Sequence, residues 1–280
     1  MSEATSKAAR EAAPKTATDP TVLRGTLDDG RVATLTLNRP QRKNALGPEE
    51  WQALSQALQQ IAADASVRVV LLRGTGGAFS SGGDLSSMPE RLEWPLAVRT
   101  QQLVRDAQVI RQIVDLDRPV VAAIEGPCMG AGLALALACD LRIAADTASL
   151  GAVFHRVGLS ADFGISWLLP RVVGPTRAAE LLLCAEVLSG TQAQACGLVH
   201  RVVAADALAS QAEALCLRMA AGPPLALAAS KRSLQRAMST DLQSQIEWEA
   251  AAQAALGKSQ DVREGIAAFF DRRAARFTGK

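Results

Sequence analysis

The chain has 280 residues, room for one large domain or one domain with an appendage, and is 49% hydrophobic and 21% charged, the balance of an ordinary soluble protein. Its 30 Lys and Arg against 28 Asp and Glu leave a formal net charge of +2, with both signs interspersed, which argues against a nucleic-acid partner. Five cysteines (Cys128, Cys139, Cys184, Cys196, Cys216) are odd in number and scattered through apolar sequence, so we expect reduced core thiols in a cytoplasmic protein.

The first segment, residues 1–20, mixes Ala, Ser, Thr and both charges without periodicity. It lacks the apolar core of a signal peptide and is expected to be a disordered tail. Val32 to Pro40 alternates apolar residues with Thr and then meets a turn, predicting a strand. Gly47 and Pro48 open a helix whose Trp51, Leu54, Leu58 and Ile61 share a face. Val67 to Gly74 reads as a buried strand, and Leu103, Ala107, Ile110 and Val114 mark a further amphipathic helix. The longest apolar stretch, Val120 to Ala138, is broken by Glu125, Gly126, Pro127, Gly130 and Gly132. It predicts a strand, a turn and a buried helix, with no membrane span. "LRIAAD" predicts another strand, and repeated strand–strand–helix units favour an α/β core. Beyond Arg171 the pattern becomes successively helical. Trp248 and the Phe269–Phe270 pair lie on mixed helix faces there, which suits packing on a second copy of the chain.

Four common chemistries fail on their motifs. "GPCMGAGLALAL" imitates a dinucleotide loop, but Leu135 stands where the third glycine belongs and no acid ends a second strand. A phosphate-loop signature and a nucleophile elbow are both missing from the sequence. No cysteine pair has zinc-site spacing, and His155 and His200 stand far from matching ligands, so no metal is expected. What remains is a pair of glycine-rich loops, Gly74 to Asp84 and Gly126 to Gly132, each after a buried strand. Such loops present backbone N–H groups unobstructed by side chains, and the second enters a helix N-terminus that favours negative charge. Two donors converging on one point would form an oxyanion hole. Read without that convergence, both are only tight turns.

"GLSADFGISWLLPRVVG", residues 158–174, poses a different question, because Asp162 is its only carboxylate in apolar, small and turn-forming company. A buried carboxylate is costly unless paired. Either Asp162 caps a helix starting near Phe163, or it moves protons.

Four stretches in order, "NRPQRKNAL", "GGAFSSGGDL", "EGPCMGAGLALALACDLRIA" and "VGLSADFGISWLLPRVVG", together with the ending "EGIAAFFDRRAARFTGK", resemble the crotonase (enoyl-CoA hydratase/isomerase) superfamily from about Val22 to Lys280. The resemblance implies a spiral of strand–strand–helix units over residues 21–205 and a C-terminal helical trimerisation region over 206–280, assembled as a homotrimer or a dimer of trimers. It implies an acyl-CoA substrate, with no cofactor beyond the coenzyme A that the substrate carries. Carried over residue by residue, the oxyanion hole falls on the backbone N–H groups of Gly83 and Ala131. Arg42, Asn44, Ala45, Asp84, Leu85, Ser86 and Gly130 would line the coenzyme A groove, with Arg272 or Arg273 approaching its phosphates.

The departures from the family pattern bear on the reaction. Hydratases similar to this chain use two glutamates, and those positions are Ala134 and Phe154 here. His155, beside the second, is expected to point elsewhere and to be structural. Asp162 lies where some branches place a catalytic aspartate, and the chain is most similar to the 1,2-epoxyphenylacetyl-CoA isomerase and Δ3,Δ2-enoyl-CoA isomerase branch. There a single carboxylate suffices, its pKa raised by burial among residues such as Phe154, Phe163 and Trp167. The expected activity is therefore double-bond or ring-epoxide isomerisation with Asp162 as base. Hydration by an unconventional water arrangement and acyl-CoA binding without turnover are the alternatives.

Overall fold

In the computed structural model, which describes residues 20–280, the chain opens with a hairpin. Asp28, Asp29 and Gly30 all take positive φ, readily adopted by short polar residues and glycine. They turn β1 (Val22–Leu27) antiparallel onto β2 (Val32–Leu37). All but Pro20 of the tail expected over residues 1–20 lies outside the described residues. α1 (Pro48–Ala63) starts at Pro48 behind Gly47 and buries Trp51, Leu54, Leu58 and Ile61 on one face, as expected. β3 (Val69–Gly74), the first glycine-rich loop, the short α2 (Met88–Leu92) and the long α3 (Leu96–Asp115) follow.

The face of α3 differs from the sequence expectation. Asp106, Val109, Ile110 and Ile113 turn inward, while Leu103 is exposed. Ala107 and Val114 line a cavity of about 420 Å³ shared with Phe163, Trp167 and Leu168. Of the stripe read from the sequence, Ile110 lies in the core and Ala107 and Val114 pack against it while bordering the groove; only Leu103 is left outside.

Two strand–strand–helix units come next: β4 (Val120–Ile124), β5 (Pro127–Met129), α4 (Ala131–Ala138), and then β6 (Leu141–Ala145), β7 (Ser149–Gly151), α5 (Ile165–Val173). The second glycine-rich loop therefore contains a short strand, β5, that its turn residues concealed. α6 (Pro175–Leu183), β8 (Val187–Ser189), α7 (Gly190–Ala195) and β9 (Arg201–Val203) complete the spiral. The large sheet runs in the order β1-β2-β3-β4-β6-β9, and β2 through β9 within it are parallel. A small sheet pairs β5, β7 and β8. Parallel strands end on the same edge of a sheet, so the glycine-rich loops leave β3 and β4 side by side.

The C-terminal region holds α8 (Leu208–Ala220), α9 (Pro224–Ala237), α10 (Leu242–Leu256) and α11 (Gln260–Phe270), matching the helical patterns. α8 covers β3 and β4. Lys231 of α9 is buried and donates to the Asp140 carboxylate at 2.8 Å and to the carbonyls of Ile113 and Arg118. All five cysteines are free, but only Cys128, Cys139 and Cys216 are core residues; Cys184 is exposed and Cys196 half-buried on the later helices. Among the described residues no helix is long and apolar enough to cross a membrane.

Candidate active site

Ser80, wholly buried between the two glycine-rich loops, stitches them together. Its N–H donates to the Pro127 carbonyl at 2.9 Å, and its own carbonyl accepts from the Met129 N–H at 3.0 Å. Its hydroxyl donates to the Asn44 carbonyl at 2.8 Å and accepts from the Gly82 N–H at 3.1 Å. Three segments are thereby fixed on one residue, through its backbone and its hydroxyl. The approach is close enough that a Cβ on Gly132 would meet the Ser80 Cβ at 2.7 Å, and one on Gly82 would meet the Met129 carbonyl oxygen at 2.8 Å. The Ala131 nitrogen lies 3.8 Å from that same Gly82 position, so the loops do converge and are more than separate turns.

Gly83 is held from one side only. The Leu46 N–H donates to the Gly82 carbonyl at 2.8 Å, and the Asp84 N–H donates to the Leu46 carbonyl at 3.0 Å. Gly83 itself is exposed, with open space where a side chain would stand. Gly130 has φ 50° and ψ −118°, a conformation essentially reserved for glycine, and places Ala131 at the first position of α4. Among the described residues neither the Gly83 nor the Ala131 N–H has a loop or side-chain acceptor.

A charged clamp backs the first loop. One Arg39 guanidinium nitrogen lies 3.0 Å from the Asp84 carboxylate, 3.1 Å from the Glu50 carboxylate and 3.3 Å from the Ala45 carbonyl. Asp84 also accepts from the Ser86 N–H and hydroxyl, and its pKa is lowered: the bonds from Ser86 and Arg39 outweigh the largest single influence, burial, which acts upward. Glu50 reaches back to the Gly47 N–H at 2.8 Å, half of a capping box.

Asp162 sits elsewhere than at a helix cap. α5 begins at Ile165, and its cap position is Gly164. Phe163 (φ 50°) and Gly164 (φ 72°) are both left-handed and separate the aspartate from the helix. The Asp162 carbonyl closes this turn by accepting from the Ile165 N–H at 3.1 Å, while the side-chain oxygen Oδ1 is buried without a partner among the described residues. Burial drives its pKa up to about 6, opposed by its own amide and the field of Arg91. Phe163 is buried and stacks on Trp51 with ring centroids 4.5 Å apart and planes 20° apart. Trp167, expected to dry the site, is half exposed beneath the Arg171 guanidinium, so the buried aromatic next to Asp162 is Phe163.

The two apolar departures also lie inside. Ala134 is fully buried on α4. The Phe154 ring lies 3.7 Å from the point where a Gly130 Cβ would stand, which places an apolar wall beside the second loop. Of the expected groove residues, Gly83, Leu85, Ser86 and Arg42 are exposed. Asn44 corrects the expectation: it is 1% exposed, accepting from the Arg39 N–H and donating to the Thr75 and Ala78 carbonyls, so it shapes the loop from within. Asp84 and Ala45 are likewise buried supports rather than groove surface. Arg273 is engaged by Glu264 and Asp271. His155 is exposed and is not a core histidine. Arg39, Glu50, Ser80 and Trp51 were not singled out as site residues from the sequence; the glutamate three residues after a helix-starting Gly-Pro was their one readable signal.

The comparisons with known proteins identify the family. Residues 28–280 match the family model described as enoyl-CoA hydratase/isomerase. The chain is 36% identical over 252 residues to the 1,2-epoxyphenylacetyl-CoA isomerase of Escherichia coli K12, covering 89% of this chain and 95% of that one. It is 36% identical over 254 residues to the mitochondrial enoyl-CoA hydratase domain-containing protein 2 of Bos taurus, covering 89% and 85%. The crystal structure of an enoyl-CoA hydratase from Bacillus anthracis superposes with a TM-score of 0.88 at 30% identity, covering 93% of this chain and all of that one. With the crotonase spiral, the converging glycine loops and these likenesses in hand, the chain belongs to the enoyl-CoA hydratase/isomerase family of enzymes.

Proposed function

We propose that the protein is an acyl-CoA isomerase that shifts a double bond, or opens a ring epoxide, through an enolate, with Asp162 as its base. The observation that carries this reading is the single candidate acid: Asp162 has a pKa raised to about 6, while the two flanking positions are Ala134 and Phe154. Hydration requires groups to hold and deprotonate water, and neither an alanine nor a phenylalanine does so. The Gly83 and Ala131 N–H groups would bind the thioester oxygen, where each such donor is worth about 3–4 kcal/mol as negative charge develops. Asp162 removes the proton from C2 of a 3-enoyl thioester, and the dienolate oxygen rests in the hole. The same carboxylic acid returns the proton at C4, leaving the conjugated 2-enoyl thioester with atoms and charge balanced. A base with a pKa near 6 is both ionised at neutral pH and basic enough for the task. Water kept off by Phe154 and Phe163 favours return of the proton over addition of hydroxide.

Several relatives carry the name hydratase, so hydration is the second reading. Purified protein and the Asp162→Asn variant assayed with 3-enoyl-CoA and 2-enoyl-CoA separate the two. Isomerisation lost in the variant supports the proposal; hydration that survives in the variant overturns it; tight coenzyme A binding without turnover identifies a binding protein. A homotrimer or dimer of trimers fits the apolar residues left open on the C-terminal helices, with Phe269 and Phe270 in edge contact and 76% and 77% exposed. Sedimentation of the full chain checks that assembly.

A further inference from the structure

The turn that carries Asp162 adopts a conformation its own sequence disfavours. Aspartate is among the best helix-capping residues, and a helix beginning at residue 163 would be capped by it. Instead an aromatic residue, Phe163, takes φ 50°, uncommon for any side chain and an outlier for a bulky one. Local strain of this kind persists only where surrounding structure over-determines it. Phe163 belongs to the buried core, and its one aromatic partner among the described residues is Trp51. The Phe163 ring is stacked on Trp51, which is 2% exposed in the first turn of α1.

That helical turn has a second attachment. Glu50, the neighbour of Trp51, is tied through Arg39 to Asp84, the residue after Gly83. One turn of α1 therefore touches both halves of the site, reaching the hole loop through Glu50 and the base turn through Trp51. We infer that Trp51 and Phe163 are positioning residues: their stack holds the Asp162–Gly164 turn left-handed, keeps the carboxylate off the start of α5, and registers it against the loop that bears Gly83. This rests on the reading of Asp162 as the base. The charged group acting on that carboxylate from outside its turn is Arg91 of α2, which the stack does not touch.

The test compares Trp51→Leu, Phe163→Leu, Trp51→Phe and Asp162→Asn with the unaltered protein on a 3-enoyl-CoA substrate. Losing the ring contact frees the turn to cap α5, so Trp51→Leu and Phe163→Leu should lower kcat by about tenfold or more with KM changed less than about twofold. The acid limb of the kcat profile should move to lower pH as water reaches the carboxylate. Trp51→Phe keeps an aromatic partner and should restore most of both. If kcat falls only with the fraction of unfolded protein while the acid limb stays in place, the stack is merely core packing and the inference is overturned. Should Trp51→Leu fail to fold, Phe163→Leu decides, since it removes the same contact from the other side. An Asp162→Asn variant that retains activity overturns the base assignment itself, whereas an inactive one beside a normal Trp51→Leu overturns the positioning role alone.

Discussion

In the glycine-rich loops Ser80 alone engages four hydrogen bonds across three segments, whereas in the Asp162 turn the buried carboxylate oxygen engages none among the described residues. The loops use glycine where the backbone must be left-handed, at Gly82 and Gly130, while the base turn puts Phe163 in that conformation. Under the proposed roles, the difference follows from what each half would do. An oxyanion hole works by not moving when charge develops, so its donors must be fixed in advance. A base must change protonation state, so it gains from a site that solvates neither state well. Rigidity is concentrated on one side and chemical instability on the other.

The largest expected effect comes from breaking the unstable half. Asp162→Asn removes the proposed proton carrier and should lower kcat on a 3-enoyl-CoA by about 10²–10⁴-fold, with KM nearly unchanged, as measured by steady-state kinetics. Breaking the rigid half comes next. Gly130→Ala forces a Cβ onto a backbone at φ 50° and ψ −118°, tilting the Ala131 N–H, and should cost about 10²-fold in kcat/KM. Coenzyme A binding, measured separately by calorimetry, should survive it.

Arg39→Met asks how far the rigid half depends on charge. It leaves Asp84 and Glu50 facing each other without their shared cation, and unfolding in urea should show a loss of about 2–4 kcal/mol. Adding Glu50→Gln should recover part of it. The smallest effect has the opposite sign. Because the Asp162 pKa rises from 3.8 to about 6 on folding, the folded state binds that proton more tightly than the unfolded state. Its favourable contribution is complete below about pH 4 and disappears as pH rises through 6, leaving an ionised carboxylate that opposes folding at pH 7. Asp162→Asn should therefore raise stability at pH 7 by about 1–2 kcal/mol, discounted for partial exposure, with little gain at pH 4. The acid limb of kcat/KM should inflect near pH 6 in the unaltered protein.

Much of the rigid half was legible in sequence because glycine spacing reports backbone requirements directly. Gly82 and Gly130 take the positive φ that glycine permits, and the two glycine-rich loops meet. The strand–strand–helix repeat was legible too, since its buried strands are nearly unbroken apolar runs. The clamp was hidden, because Arg39, Glu50 and Asp84 are distant in sequence and ordinary surface types in composition. Asn44 was misread for the related reason that a polar residue in a loop suggests solvent, while its amide satisfies three backbone groups indoors. β5, β8 and β9 are only three residues each, too short for periodicity to register. The shape of the Asp162 turn was not legible: of the two readings, cap or proton carrier, the cap fails because Gly164 holds that position.

The buried contact between Lys231 and Asp140 bears on where the molecule can be cut. Asp140 closes the end of α4, receives the Val120 N–H where β4 begins, and has its pKa raised by burial against the pull of Lys231. A chain shortened after residue 205 would strip α8 from the sheet and abandon that carboxylate in an apolar setting with its cation gone. The last 75 residues are thus not a detachable oligomerisation tag. Fusion, circular permutation or domain grafting in this family should keep α8 and α9 with the spiral and place any new junction beyond them.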